Sequence, residues 1–265
     1  MTHANQTRTA QPAMVALFVS DVHLQENMPA TTAAFLAFLE SHATRAGQLY
    51  LLGDLFEYWA GDDDLTAPFN QRIVNALRAV SDAGTALFWI AGNRDFLVGA
   101  QFAAATGARI LLDGTVVRIA GQAIVLAHGD AQCTDDVAYI AFRDEVRQPR
   151  WQEKFLALPL AQRKAIIDDL REKSRAAQHG KTAAIMDVNP AAIAALFASS
   201  ATRLMIHGHT HRPATHVVKD VESGAAMTRH VLPDWDCDAV PPRGGWLAIA
   251  EDGEIHGFSA TGDAA

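Results

Sequence analysis

Five apolar runs along this chain each stop at side chains able to hold a metal ion. Met14–Val19 stops at Ser20-Asp21-Val22-His23, Leu49–Leu52 at Gly53-Asp54, and Ala86–Ile90 just before Gly92-Asn93-Arg94-Asp95. Ala123–Ala127 stops at His128-Gly129-Asp130, and Leu204–Ile206 at His207-Gly208-His209-Thr210-His211. Turns favour Asp, Asn and Gly for backbone reasons alone, so one such ending carries little. Five in succession, all with carboxylate, amide or imidazole groups, are hard to explain as turn chemistry. Imidazole is the commonest metal ligand, and extended backbone alternates faces, so His207, His209 and His211 can point to one side of a strand end.

Counting donors favours two ions over one. Asp21, His23, Asp54, Asn93, His128, His207 and His209 offer seven side chains, whereas one catalytic zinc takes about three. If Asp54 bridges, each ion receives four protein ligands and keeps open positions. Ligation without thiolate suits Mn²⁺ or Fe, with Zn²⁺ compatible. Two ions ~3.5–4 Å apart activate a hydroxide and stabilise both the attacking and leaving oxygens at phosphorus. Phosphoester hydrolysis is the chemistry to expect. His211 is expected to orient His209 or its loop, and Asp62, Asp63 and Asp64 to form a solvated turn.

The elements that must position these groups are legible in outline. The first three apolar runs read as strands covered on both faces. Between them lie helical patterns over 31–45 and 68–83, which makes β-α-β-α-β with parallel strands and right-handed crossovers. A hairpin is expected over 115–119 and 123–127, and mostly helical chain over 136–177, broken at Pro149 and Pro159. A helix over 190–199 precedes the histidine-bearing strand, and four segments near 215–219, 228–232, 246–250 and 254–258 read as antiparallel strands. A layered α/β fold of two sheets with a helical insertion is the simplest assembly.

Composition bounds the rest. A chain of 265 residues, 49% hydrophobic, can bury a full core. A formal charge of −8 argues against nucleic acid as a partner. Two cysteines make no disulfide framework and suit a reducing compartment. The polar start from Met1 to Ala13 lacks the apolar region of a signal peptide and is expected to be a loose tail. No stretch approaches 18 apolar residues, so no helical membrane span is expected.

The ordered motifs Asp-x-His, Gly-Asp, Gly-Asn-Arg-Asp, His-Gly-Asp and His-Gly-His-Thr-His resemble the calcineurin-like metallophosphoesterases. The resemblance implies a four-layer αββα sandwich with two mixed sheets and a dinuclear site. One metal would sit on Asp21, His23, Asp54 and His209, the other on Asp54, Asn93, His128 and His207. Within that superfamily, Leu52–Asp64, Gly92–Leu97, His128–Asp136 and Ala184–Asn189 are similar to the UDP-2,3-diacylglucosamine pyrophosphatase family. That likeness implies hydrolysis of a lipid-linked nucleotide sugar to UMP and 2,3-diacylglucosamine 1-phosphate (lipid X) in lipid A biosynthesis. It also implies two Mn²⁺ ions, a peripheral position on the cytoplasmic face of the inner membrane, and a monomer. Substrate contacts carried over residue by residue are Asn93, Arg94, Asp136, Ser174, Lys181 and His207, with Gln178 where relatives have Asn. Arg94, Asp54 and Asn93 would carry catalysis. Residues 14–135 and 182–260 would form the core, 136–181 a helical cap, and 1–13 and 260–265 the tails.

Two features bear on substrate independently. Arg94 cannot lose a proton, yet a diphosphate releases a phosphate monoester with a second pKa of about 6, so charge stabilisation is sufficient. A structural pairing with Asp95 is the competing role for Arg94. Residues 139–181 hold ten basic against six acidic side chains, a net of +4 in an acidic chain, among apolar residues such as Trp151, Phe155, Ile166, Ile167 and Leu170. That suits an interfacial element or a lining for acyl chains; an ordinary amphipathic helix with a solvated face is the alternative. Two further functions stay open: a soluble nucleotide phosphodiesterase or phosphatase of the same superfamily, and a non-catalytic scaffold.

Overall fold

Strand β1 (Met14–Val19) pairs in parallel with β2 (Gln48–Leu52), β2 with β3 (Ala86–Ile90), and β3 with β4 (Arg109–Leu111). The crossovers are α1 (Pro29–Ser41), α2 (Pro68–Asp82) and α3 (Ala100–Thr106). Two late strands complete a six-stranded sheet of order β11-β10-β1-β2-β3-β4: β10 (Gly245–Ala250) pairs antiparallel with β1, and β11 (Ile255–Ser259) antiparallel with β10. The molecule described is a computed structural model covering residues 13–178, 187–219 and 224–264. Residues 1–12, Lys181 and the first half of the Ala184–Asn189 motif (184–186) lie outside the described residues, as does the side chain of Gln178.

The second sheet contains β5 (Thr115–Ile119), β6 (Gln122–Leu126), β7 (Leu204–His207), β8 (Ala214–Lys219) and β9 (Ala226–Val231), in the order β5-β6-β7-β9-β8. Side chains alternate across each strand, and the burial follows that period of two. Ala16, Phe18, Tyr50, Leu52 and Ile90 face Ile124, Leu126, Ile206 and Leu232 between the sheets. Phe18, Tyr50 and Phe88 sit in register and stack, with ring centroids 5.1 and 4.6 Å apart. The opposite face of the first sheet (Leu17, Val19, Leu49, Leu51, Leu87, Trp89) packs on α1 to α3 through Phe35, Phe38, Ile73, Leu77 and Phe102. On the outside of the second sheet, α7 (Pro190–Ser200) places Ile193 and Phe197 against Val125 and Met205. The layers are therefore helix, sheet, sheet, helix.

Between β6 and α7 the described residues form α4 (Val137–Val146), α5 (Pro149–Leu156) and α6 (Leu160–Gln178). The two proline breaks fall where expected, since Pro149 opens α5, where a missing N–H costs nothing. Trp151, Phe155, Ile166 and Ile167 pack onto the apolar cluster beneath α1 to α3.

Three expectations need correction. The parallel series has a fourth strand and third helix, too short for periodicity to reveal them. Helix α1 stops at Ser41, and residues 43–45 form a separate 3₁₀ turn. The four late segments pair antiparallel as expected, β8 with β9 and β10 with β11; β9 also runs parallel to β7, a direction set by long-range pairing that local pattern does not encode. Asp62–Asp64 is not a solvated turn. Asp62 accepts Trp59 Nε1 and the N–H groups of Gly99, Gln101 and Phe102 at 2.9–3.0 Å, satisfying the start of α3. Asp63 pairs with Arg163, and Asp64 accepts Lys164 Nζ at 2.8 Å. Among the described residues no helix is long and apolar enough to cross a membrane.

Candidate active site

The loops that leave the strand ends carry backbone strain. Asp21, His23, Asp54, His209 and His211 all adopt left-handed conformations, with φ of 53°, 51°, 54°, 67° and 53°. Such conformations cost non-glycine residues roughly 1 kcal/mol or more each and concentrate at functional sites. Close packing holds them. A Cβ on Gly92 would lie 2.1 Å from Asp54 Oδ1, and one on Gly208 2.1 Å from Asp21 Oδ2. Asp95, wholly buried, accepts the N–H groups of Asp54, Leu55 and Gly92 at 3.2, 2.8 and 2.9 Å, tying two strand-end loops together. Burial, reinforced by the nearby Asp54 carboxylate, pushes its pKa up to about 7. Asp95 therefore does not pair with Arg94.

The structure gathers candidate ligands into two adjoining groups. Asp21, His23 and His211 form one, and Asp54, His128 and His209 the other; within each, the ligand atoms lie within 4.8 Å of one another. Asp54 faces both groups: Oδ2 is 3.9 Å from His23 Nε2 and Oδ1 is 3.7 Å from His128 Nε2. Asn93 Oδ1 stands 3.0 Å from His128 Nε2. Oδ2 of Asp21 accepts the Ser20 hydroxyl and His209 N–H, but its Oδ1 is buried with no hydrogen-bond partner. An orphaned carboxylate oxygen beside two imidazoles, with a second carboxylate facing both groups, fits a pair of divalent cations.

The grouping differs from the one the motifs imply. His209 lies with Asp54 and His128, and His211 takes the place beside Asp21 and His23, 3.4 Å from Asp21 Oδ1 and 3.3 Å from His23 Nε2. His207 is fully buried; its Nδ1 is 2.9 Å from the Gly208 carbonyl and its Nε2 2.9 Å from Arg229 Nη1. Burial first, then the Arg229 charge, pull its pKa down to about 3. Burial and His128 likewise lower His209 to about 4. For His128, burial is outweighed by Asp54, Asp21 and Asp130, and the pKa rises to about 9.

A cavity of about 590 Å³ opens from this floor to the inner side of α4 to α6. Its walls include Asn93, Arg94, Asp136, Tyr139, Arg171 and Ser174, and the apolar Phe96, Leu97, Trp151, Phe155, Ile167 and Leu170. His207 is not on its lining. Asp136 also caps α4, accepting Tyr139 N–H at 3.2 Å. Arg94 lies 3.9 Å from Glu57. Helix α4 is clasped by buried Asp130, which accepts Tyr139 Oη at 2.7 Å and Arg143 Nε at 2.8 Å. Glu57 and Asp130 were not singled out from sequence. The signal for Asp130 was available, in that it closes the His-Gly-Asp ending; nothing in the apolar setting of Glu57 marks it.

The chain matches the calcineurin-like phosphoesterase family over residues 14–213, and it belongs to that family. Its similarity narrows further. A protein of Aromatoleum aromaticum named UDP-2,3-diacylglucosamine hydrolase is 50% identical over 226 residues, covering 85% of this chain and 91% of that one. Proteins of the same name from Klebsiella pneumoniae and Chromohalobacter salexigens are 46% and 45% identical, across 84% and 90% of this chain and 91% and 94% of theirs. Among solved structures, Vps29 of Entamoeba histolytica complexed with Zn²⁺ covers 95% of this chain and 96% of its own at 14% identity and a TM-score of 0.47, which leaves the assignment resting on the sequence matches.

Proposed function

We propose that this protein hydrolyses the pyrophosphate bond of UDP-2,3-diacylglucosamine, releasing UMP and 2,3-diacylglucosamine 1-phosphate in lipid A biosynthesis. The observation that carries the reading is the continuity of the cavity, polar and acidic at its floor and lined by Trp151, Phe155, Ile167 and Leu170 at its roof. A diphosphate with a sugar and acyl chains matches that division; a small soluble diester would leave the apolar wall without a partner. Residues 14–135 and 182–260 act as the hydrolytic core, and 136–181 as a cap over the lipid.

Asp21, His23, Asp54, Asn93, His128, His207 and His209 would hold two divalent cations, Mn²⁺ in this reading, with His211 a further donor in reach. Once bound, the cations supply Lewis acidity and a nucleophilic water at neutral pH. The chain's residues do the rest. Asp54 lies between the two groups, its orientation set by the Arg94 N–H at 2.8 Å. Arg94, always protonated, offsets charge on the departing phosphate, which needs little protonation. Asn93, Asp136, Ser174, Gln178 and Lys181 contact substrate, whereas buried His207, off the cavity lining, would serve only as a metal donor, and the basic cap suits the anionic cytoplasmic face of the inner membrane. The working unit is a monomer, with no role for nucleic acid.

The test is incubation of purified protein with UDP-2,3-diacylglucosamine and Mn²⁺ in ¹⁸O-water. UMP carrying the label and unlabelled lipid 1-phosphate are expected, as attack at the α-phosphorus requires. No UMP, with rapid turnover of a soluble phosphodiester, would overturn the reading.

A further inference from the structure

Glu57 lies three residues beyond Asp54, and its carboxylate meets three functional parts of the molecule at once. Oε2 is 3.1 Å from His23 Nδ1, while Oε1 pairs with Arg171 Nη2 of α6 and lies 3.9 Å from Arg94 Nη1. Its backbone is fixed on two loops, since Glu57 N–H donates to Leu24 O at 3.2 Å and Trp59 N–H to Arg94 O at 3.1 Å. Arg171 is steadied further by lying 5.4 Å over the Tyr58 ring. The side chain is largely sheltered, at 17% exposure, so these contacts are screened less than surface pairs.

Taking the cavity to be the catalytic site proposed above, we infer that Glu57 is a positioning residue. It orients His23, Arg94 and the cap helix α6 as one unit, so metal affinity and cap placement depend on the same carboxylate. A carboxylate on the far nitrogen of a ligating imidazole fixes ring orientation and raises ligand basicity. The same group gives two long guanidinium side chains a fixed partner, removing rotamer freedom before substrate arrives. Arg171 carries this coupling into the cap, eleven residues beyond the Leu160 that starts α6.

The test uses the full chain with Glu57→Gln, Arg171→Met and the double variant. Mn²⁺ affinity is read by calorimetric titration of metal-stripped protein, and kcat and KM separately on UDP-2,3-diacylglucosamine at saturating Mn²⁺. Glu57→Gln is expected to weaken Mn²⁺ binding about 10–100-fold, with Glu57→Asp recovering part of the loss. The kinetic losses of Glu57→Gln and Arg171→Met are expected not to multiply, because both break one linkage. Wild-type Mn²⁺ affinity in Glu57→Gln, or losses that multiply in the double variant, would overturn the inference. Should Glu57→Gln not fold, Glu57→Asp serves instead, with a several-fold weaker Mn²⁺ affinity expected and wild-type affinity overturning. A wild-type protein inactive on the lipid substrate would sink the functional reading, while the Mn²⁺ titrations would still decide the role of Glu57.

Discussion

His23, Asp54, Asn93 and His209 occupy short loops at strand ends, whereas Trp151, Phe155 and Ile167 reach the same cavity from helices. The floor is held by backbone. Five of its residues are left-handed, Asp95 gathers N–H groups from two loops, and Gly92 and Gly208 allow contacts no other residue permits. The cap is held by side chains: Arg163 to Asp63, Lys164 to Asp64, Arg171 to Glu57, and Tyr139 with Arg143 to Asp130. Backbone constraints hold atoms to fractions of an ångström, as metal ligation requires. Long charged pairs tolerate adjustment, which would suit the proposed fit of this surface to flexible acyl chains.

Experiments that separate the two regions should fall in a definite order of size. Removing divalent cations with a chelator should abolish hydrolysis of both the lipid substrate and a soluble phosphodiester, and Mn²⁺ should restore it; residual activity in metal-stripped protein would deny the floor its role. Asp54→Asn should come next. Losing a carboxylate shared by both groups removes several kcal/mol of transition-state stabilisation, roughly a 10³-fold fall in kcat, with no loss in melting temperature because the left-handed site suits Asn equally. A variant with near-normal kcat would mean that Asp54 is not shared.

Cap variants should break the symmetry between substrates. Trp151→Ala should raise KM for the diacylated substrate by about 10-fold or more, from ~1.5–3 kcal/mol of lost apolar contact, and leave the soluble diester unaffected. Equal effects on both substrates would mean that the roof does not hold acyl chains. The smallest effect is structural. Arg163, 2% exposed, donates to the carbonyls of Ala60 and Leu158. Arg163→Ala leaves them without those donors at a cost of about 1–3 kcal/mol, lowering Tm by roughly 4–8 °C. An unchanged Tm would show that the cap is anchored elsewhere.

The candidate metal donors were legible in the sequence because each follows an apolar run that reads as a buried strand. Parallel strands with right-handed crossovers bring their ends to one edge, so Asp21, Asp54 and Asn93 could be placed together without coordinates, while His128 follows a strand of the second sheet. Arrangement within that edge was another matter. The structure sets His211 beside Asp21 and His23, moves His209 to Asp54 and His128, and turns His207 to Arg229, because local φ and long-range neighbours aim a side chain and spacing does not. The three aspartates at 62–64 look solvated in one dimension, yet their partners are up to 100 residues away.

Residue types and their order at strand ends were enough to define a two-sheet hydrolase and to pick out its candidate metal donors, since hydrophobic period and turn chemistry are local properties. Tertiary structure alone decided that β9 runs parallel to β7, which imidazole faces which carboxylate, and that Glu57 joins the floor to the cap. Those outcomes depend on which distant surfaces exclude water together, and no local pattern along the chain carries that information.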